Sequence, residues 1–539
     1  MSNFALDSDE VKVNALRLRD EGMSYAQIAR SIGVNPSTAR RFLSGKTHRE
    51  WWQINQKPIA SGTVYDHRNK LKRANKKFFI ITSAQNNSWA HRTGMESIKQ
   101  YVKFLGEKDT QIIVGTFTYN KNGFQRSEKK DNDLWFDPII EPYIIDQPLE
   151  LADGLIWCGE LNILPTAVNP LSGFQGYTKA ASGIVPHAKY QHESLPTHKS
   201  IKNTRMMYTT GAITKQNYIQ KTSGQKAAFH HIPGAVLVEV DKDGDWFVRQ
   251  LAIETETGNF YDLDRHITPN GVTVGHRPEA VNWGDIHAEK EDPEASDVLF
   301  YAPTSVLKVL RPKKQFLHDT LDFTSRNHHS IGDPHIRFRM FVDGAESVQE
   351  NIKTVASFLN RVHHPWIETV IVESNHDLAF TRWLRTADFK QDPVNALFYL
   401  DCSYAVYKAM ADNNPDFSVF KYAIEKYGDN VSTEIKYLNT DESYMICGNI
   451  ECGMHGDLGI NGSRGSIQQF TRLGSLCNIG HSHTCGVKES VYCAGVSGKL
   501  EMGYNRGITT WSHSFILTYQ NGKRTIVTLR NGKWRGNFV

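Results

Sequence analysis

Apolar and polar positions change rhythm several times along the chain. From residue 78 the run Phe78-Phe79-Ile80-Ile81-Thr82 is short and continuously apolar, which predicts a buried strand. Met95 to Leu105 places Ile98, Tyr101, Val102 and Leu105 on one face, which predicts a helix, and Thr110 to Thr116 predicts a second strand. Such a β-α-β unit opens an α/β layer. Gly154 to Trp157, Gly234 to Val240 and Trp246 to Ile253 read as further strands, the last two joined by an Asp241-Lys242-Asp243-Gly244 hairpin turn. Further on, Val348, Ile352, Val355, Phe358 and Leu359 form one stripe on Ala345 to Val362, a crossover helix returning into the strand Ile367 to Val372. The chain closes with Trp511 to Tyr519 and Thr525 to Leu529. The turns Asn521-Gly522 and Asn531-Gly532 predict antiparallel hairpins there.

Residues 8 to 45 follow another pattern. Val11, Val13, Leu16 and Leu18 give Asp9 to Arg19 its apolar positions. Ser24-Tyr25-Ala26-Gln27 has the form of a capping box and opens a short helix with Ile28, Ala29 and Ile32. Gly33-Val34 makes a turn, and Asn35-Pro36 caps and starts the next helix, which Gly45 stops. This is the plan of a helix-turn-helix, whose second helix enters the major groove of DNA. Ser37, Thr38, Arg40 and Arg41 are its candidate DNA contacts; an assembly module is the other reading. Residues 51–77 form a basic linker, and up to Lys77 there are 15 Lys+Arg against 7 Asp+Glu. That excess fits a phosphate backbone and is hidden by a whole-chain net charge of only +4.

A chain of 539 residues with 40% hydrophobic and 22% charged residues has the composition of a globular protein of several domains. No positively charged start precedes an apolar core and no run approaches the ~18 apolar residues of a membrane span, so the expectation is a cytoplasmic protein without a membrane partner. Seven cysteines without a C-x-x-C spacing read as reduced thiols rather than a zinc ribbon.

The candidate chemistry lies at strand ends. Asp285 and His287, in Gly284-Asp285-Ile286-His287, follow the run Ala280-Val281-Asn282-Trp283. Two residues apart at the end of a strand, they point to one side. They pair a hard oxygen with an imidazole, a set suited to Mn, Fe or Zn. Four more clusters follow apolar runs: Leu317-His318-Asp319, Ser374-Asn375-His376-Asp377, Gly453-Met454-His455-Gly456 and Gly480-His481-Ser482-His483. In the central segment Gln85, Asn86, Asn87 and His91 also follow a strand, where an α/β sheet often places a ligand, but they carry no metal-ligand pattern.

The five clusters, in this order, resemble the calcineurin-like metallophosphoesterase family from about Asn282 onward. His318 and Ser374 stand where that family usually has glycine. For 279–539 the resemblance implies a C-terminal mixed β-sandwich flanked by helices; with the central α/β domain of unassigned role (78–278) and the N-terminal helix-turn-helix (1–50) read above, the expected fold class is α/β. The resemblance also implies two divalent metal ions, Mn2+ first, with Mg2+, Fe2+ or Zn2+ compatible. Asp319 would bridge them, with Asp285, His287 and His483 on one ion and Asn375, His455 and His481 on the other. His376 would face the phosphate and Asp377 would orient it. Asp322, Arg326, His328 and His329 after the second motif, and Arg464 after the fourth, are candidate substrate contacts.

The C-terminal part is similar to SbcD-type repair nucleases. The whole architecture, with Tyr208-Thr209-Thr210-Gly211-Ala212 and Phe229-His230-His231, is similar to the early-expressed nucleases with which phages of the T5 type destroy host DNA. The expectation is therefore a metal-dependent DNase acting on DNA in the host cytoplasm; a homo-oligomer is compatible with it. The alternatives are a phosphomonoesterase or nucleotide hydrolase using the helix-turn-helix for assembly, and a DNA-binding regulator with a vestigial phosphoesterase domain.

Overall fold

The computed structural model describes residues 11, 14, 15, 18, 19, 23–43, 74–119, 135–327 and 331–536. The linker at 51–73 and the candidate contacts His328 and His329 lie outside them, as does the side chain of Arg41.

At the N-terminus the capping box forms as its sequence dictates. Ser24 and Gln27 bond reciprocally at the start of helix Tyr25–Ile32, and Gly33, at φ 73°, ends it in the left-handed conformation that suits glycine. Helix Pro36–Leu43 follows, and Ala15, Leu18, Ile28 and Phe42 form a small core.

Three large sheets, beside a three-stranded one (Phe260–Asp262, Arg265–Thr268, Gly271–Thr273) and a two-stranded one, build the rest of the described residues. A four-stranded sheet contains Phe78–Gln85 and Thr110–Phe117 in parallel, joined by helix Arg92–Leu105, and the hairpin Gly234–Val240 with Trp246–Ala252. A six-stranded sheet has the spatial order Lys436–Leu438, Glu368–Val372, Lys314–His318, Ala280–Asn282, Ser514–Thr518 and Arg524–Thr528. Its first four strands are parallel and its last two form the expected antiparallel edge. Side chains alternate across it. Ala280, Phe316, Val370 and Val372 face a core shared with Ile446, Ile450 and Cys452 of the next sheet. Val281, Leu317, Ile371 and Phe515 face the helices, among them Val348–Val362 with its whole predicted stripe buried. None of the described helices is long and apolar enough to cross a membrane.

The third sheet has ten strands and crosses the boundary placed at 278/279. Five strands come from 445–493 and five from 148–209, and they meet where Gly486–Lys488 pairs antiparallel with Gln191–Leu195. One core joins Phe79, Val236, Trp157, Tyr208, Val487, Tyr492 and Ile516, so side chains from all three sheets pack together. This sheet is thus twice the width that the C-terminal segment alone would supply.

Candidate metal centre

Parallel strands end on one edge, so the residues just beyond them converge. Asp285 and His287 follow Ala280–Asn282, Asp319 follows Lys314–His318, and Asn375 and His376 follow Glu368–Val372. The third sheet contributes from the facing side. His455 follows Ile450–Glu451, and His481 and His483 follow Leu476–Ile479, parallel to it.

The ligand atoms of Asp285, His287, Asp319 and His483 all lie within 4.8 Å of one another, and all four residues are buried. The His287 and His483 Nε2 atoms are 3.0 Å apart, His483 Nε2 is 3.1 Å from Asp285 Oδ2, and His287 Nε2 is 3.7 Å from Asp319 Oδ2. Ligands about 2.1 Å from one ion sit roughly 3.0–3.4 Å from each other, so this spacing is that of donors around a shared cation. On the other side of Asp319, His455 Nε2 lies 3.3 Å from Oδ2, the His481 ring stands 5.2 Å from that of His455, and the buried Asn375 Oδ1 has no protein partner. Nδ1 of His483 and Oδ2 of Asp285 are likewise buried without a conventional hydrogen bond. Mixed oxygen and imidazole donors left unsatisfied in a buried pocket fit a divalent metal ion.

Backbone geometry points the same way. His287, Asp319, His481 and His483 have φ of 48°, 45°, 70° and 54°. Each left-handed non-glycine residue costs about 1–3 kcal/mol and persists only where the surroundings impose it. Gly480 explains the glycine of its motif: a Cβ there would come within 2.3 Å of Asp285 Oδ1. The two positions where the resemblance would put glycine carry no such demand. Neither His318 nor Ser374 is left-handed. Ser374 donates to Asp377 Oδ2 and accepts from the Asp377 N–H. His318 is a buried imidazole that burial pulls down to about 4.

The charged groups of the site act on one another. Burial opposes the Asp285 carboxylate, but His455 and His483 hold it down to about 2. Burial also opposes the His455 imidazolium, yet Asp319 and Asp285 push it up to about 10. These are the shifts of a site whose carboxylates stay ionised and look for positive charge.

Several roles differ from the sequence reading. Asp377 does not orient His376. Its carboxylate accepts from Thr320 Oγ1, the Leu321 N–H and Ser374 Oγ, which locks the second and third motifs together. His376 is held through Nδ1 by the Asp322 carbonyl at 3.1 Å, and its ring lies 4.8 Å from that of His287. Asp322, expected near substrate, is instead a fully buried support: its Oδ1 meets His287 Nδ1 at 3.1 Å, and Lys290 and Thr324 hold its Oδ2. The D-x-x-D spacing of Asp319 and Asp322 was its only signal. Arg326 grips Asp392 with two hydrogen bonds of 2.7 and 2.6 Å and is nearly buried, so it is a structural ion pair rather than a substrate contact. Arg464 is exposed on the loop after His455. Beside that loop, and against His481, opens a cavity of about 400 Å3 lined also by Gln191, His192 and Lys488.

In the N-terminal module Arg40 is exposed and Thr38 half-buried. Ser37 is exposed, but its hydroxyl donates to Asn35 Oδ1 at 2.9 Å as part of the helix start. Gln85, Asn86, Asn87 and His91 form a structural network. Asn86 and Asn87 accept from the Tyr119 and Trp135 N–H groups, Gln85 from the Asn217 N–H, and His91 caps helix Arg92–Leu105. All seven cysteines are free thiols, and only Cys447 is exposed.

Fold and site together define an α/β protein with an N-terminal DNA-binding type of module and a buried Asp/His cluster that can hold a metal ion. Residues 7–47 match the family of homeodomain-like domains. The chain is 42% identical over 489 residues to Protein A1 of Escherichia phage T5, an alignment covering 89% of this chain and 86% of that protein. The chain belongs to the family of that phage protein. No solved structure matches it.

Proposed function

We propose that this protein is a phage-encoded, two-metal phosphodiester hydrolase that acts on DNA in the host cytoplasm. The observation that carries the reading is the cluster of Asp285, His287, Asp319 and His483 at the facing ends of two sheets, with His455 against Asp319 and His481 against His455, and His287, Asp319, His481 and His483 in left-handed backbone. That set has donors for two ions around Asp319 and matches the calcineurin-like metallophosphoesterase pattern in composition and order. Divalent ions of the Mn2+ type, when bound, would polarise the phosphate and supply a nucleophile from water at neutral pH.

The chain's own groups fill the remaining roles. His376 has Nδ1 fixed on the Asp322 carbonyl, which leaves Nε2 to bind a phosphate oxygen or to give a proton to the departing one. Arg40 and the basic linker supply positive charge for a phosphate backbone, and Arg464 supplies it near His455. The homeodomain-like match supports DNA over a small ester as substrate.

The test is hydrolysis of linear and circular double-stranded DNA with added Mn2+, beside a small phosphomonoester, for the native chain and Asp319→Ala. The expected result is Mn2+-dependent loss of DNA that falls by about 1,000-fold or more in the variant. Turnover of the small ester alone would overturn DNA as substrate and leave a phosphomonoesterase.

A further inference from the structure

Helix Ala396–Ala411 is apolar on more than one side. Phe398 and Cys402 sit in the core, with Tyr399 and Val406 packed beside them, and Ala409 is buried on the same side. The opposite side carries Leu397, Leu400, Tyr404, Tyr407 and Ala411, all exposed; the first four are 84%, 46%, 68% and 72% exposed. Their steps of three, four, three and four residues are those of the a and d positions that form a helix–helix seam. A helix lying on a protein surface normally shows charge on that side.

The size and shape of this stripe select its occupant. With the exposed Val394 and Met410 at its margins, and with two aromatic side chains of the ~150–250 Å2 class in Tyr404 and Tyr407, the stripe offers on the order of 800 Å2 of bare surface, most of it apolar. That equals the ~800 Å2 which each partner contributes to a standard stable interface, and it exceeds what a monomer usually leaves bare. The stripe is a straight ridge about 24 Å long at 1.5 Å per residue, not a groove. A ridge of a and d residues packs into the like ridge of another helix. A two-fold axis supplies that second ridge from an identical chain, with no further surface required.

We propose that the protein self-associates through this helix, two copies of Ala396–Ala411 packing against each other about a two-fold axis. The inner side of the same helix carries Phe398 and Tyr399 against Trp383 of helix Asp377–Thr386, with Tyr399 and Trp383 ring centroids 5.1 Å apart. The helix that starts beside His376 is therefore braced from behind by the pairing. This inference does not depend on which reaction the metal centre performs.

Sedimentation velocity of the full chain over a micromolar concentration series tests it, with the double variant Leu397→Glu/Tyr404→Glu beside the native protein. The native chain is expected to sediment as two copies or a multiple of two. The double variant is expected to halve that mass, its pair dissociation constant rising by about 30-fold or more, as for a central interface residue. Far-UV circular dichroism checks that the variant is folded, since both substituted side chains point away from the core. Hydrogen exchange of the native chain covers the case in which it is not. Protection of residues 397–411 is expected to rise with protein concentration. A native chain that sediments as one copy, a folded variant with unchanged mass, or exchange independent of concentration would each overturn the proposal.

Discussion

Asp322 and Asp377 are both buried carboxylates close to the candidate ligands, and the structure separates their roles. Asp322 fixes the ring of His287 through Nδ1, so its removal should loosen a ligand without removing one. Supports of this kind typically change metal affinity by about 10–100-fold. Asp322→Ala is expected to weaken Mn2+ binding by that factor in a calorimetric titration, and unchanged affinity would show that His287 holds its orientation alone. Asp377 accepts from one backbone N–H and two hydroxyls, and its own burial, next to the Asp319 charge, lifts it to about 7. Asp377→Ala leaves those donors buried without an acceptor and is expected to cost about 2–4 kcal/mol in urea unfolding. Loss of turnover with full stability would instead restore a direct part for Asp377 in catalysis. The candidate ligands were legible because each follows an apolar run within a few residues. The supports were not: nothing local to Arg326 announces Asp392, 66 residues on, and nothing local to Asp322 says which imidazole it will face.

Elements show the same division between local and distant information. The strand Phe78–Gln85, the hairpin Gly234–Val240 with Trp246–Ala252, and the helix Val348–Val362 were legible because burial on one or both faces writes a period into the sequence. Gln191–Leu195 has no such period: Gln191, His192 and Ser194 are buried polar residues. They are satisfied by distant groups, among them Thr209, which holds Gln191 on both backbone sides, and Cys485, whose carbonyl accepts from Ser194. Arg249 is the charged counterpart. It lies fully buried in the strand Trp246–Ala252 and binds Glu239 of the paired strand and Asp262 of the short strand Phe260–Asp262. Such a triad contributes little net stability while complete, but losing its one cation strands two buried carboxylates. Arg249→Met is therefore expected to lower stability by about 3–5 kcal/mol in chemical denaturation. A loss below about 1 kcal/mol would mean that Glu239 and Asp262 take up protons and settle as neutral acids.

Across the whole molecule the deciding feature is the ten-stranded sheet, because it ties the candidate metal centre to residues 291 positions away in sequence. Motif onset near Asn282 places a boundary at 278/279, and strand pairing over such a distance leaves no local trace. The junction is specific: Gly486 pairs with Glu193 and Lys488 with Gln191, and Ser194 Oγ donates to the Cys485 carbonyl, two residues from His483. A fragment of residues 279–539 would expose Gly486–Lys488 as an unpaired edge. It would also bare Val487 and Tyr492, which share one buried core with Trp157 and Tyr208. An exposed apolar edge strand is a template for aggregation, and the loop holding His481 and His483 would lose its footing. The fragment is thus expected to aggregate or to bind no Mn2+, whereas the full chain should transmit metal binding outward. In hydrogen exchange, added Mn2+ is expected to slow residues 182–209 along with 476–493, because a ligand stabilises every segment that must open for it to leave. Protection confined to 476–493, with a folded, metal-binding fragment, would show that the two halves of the sheet are energetically separate despite their shared hydrogen bonds.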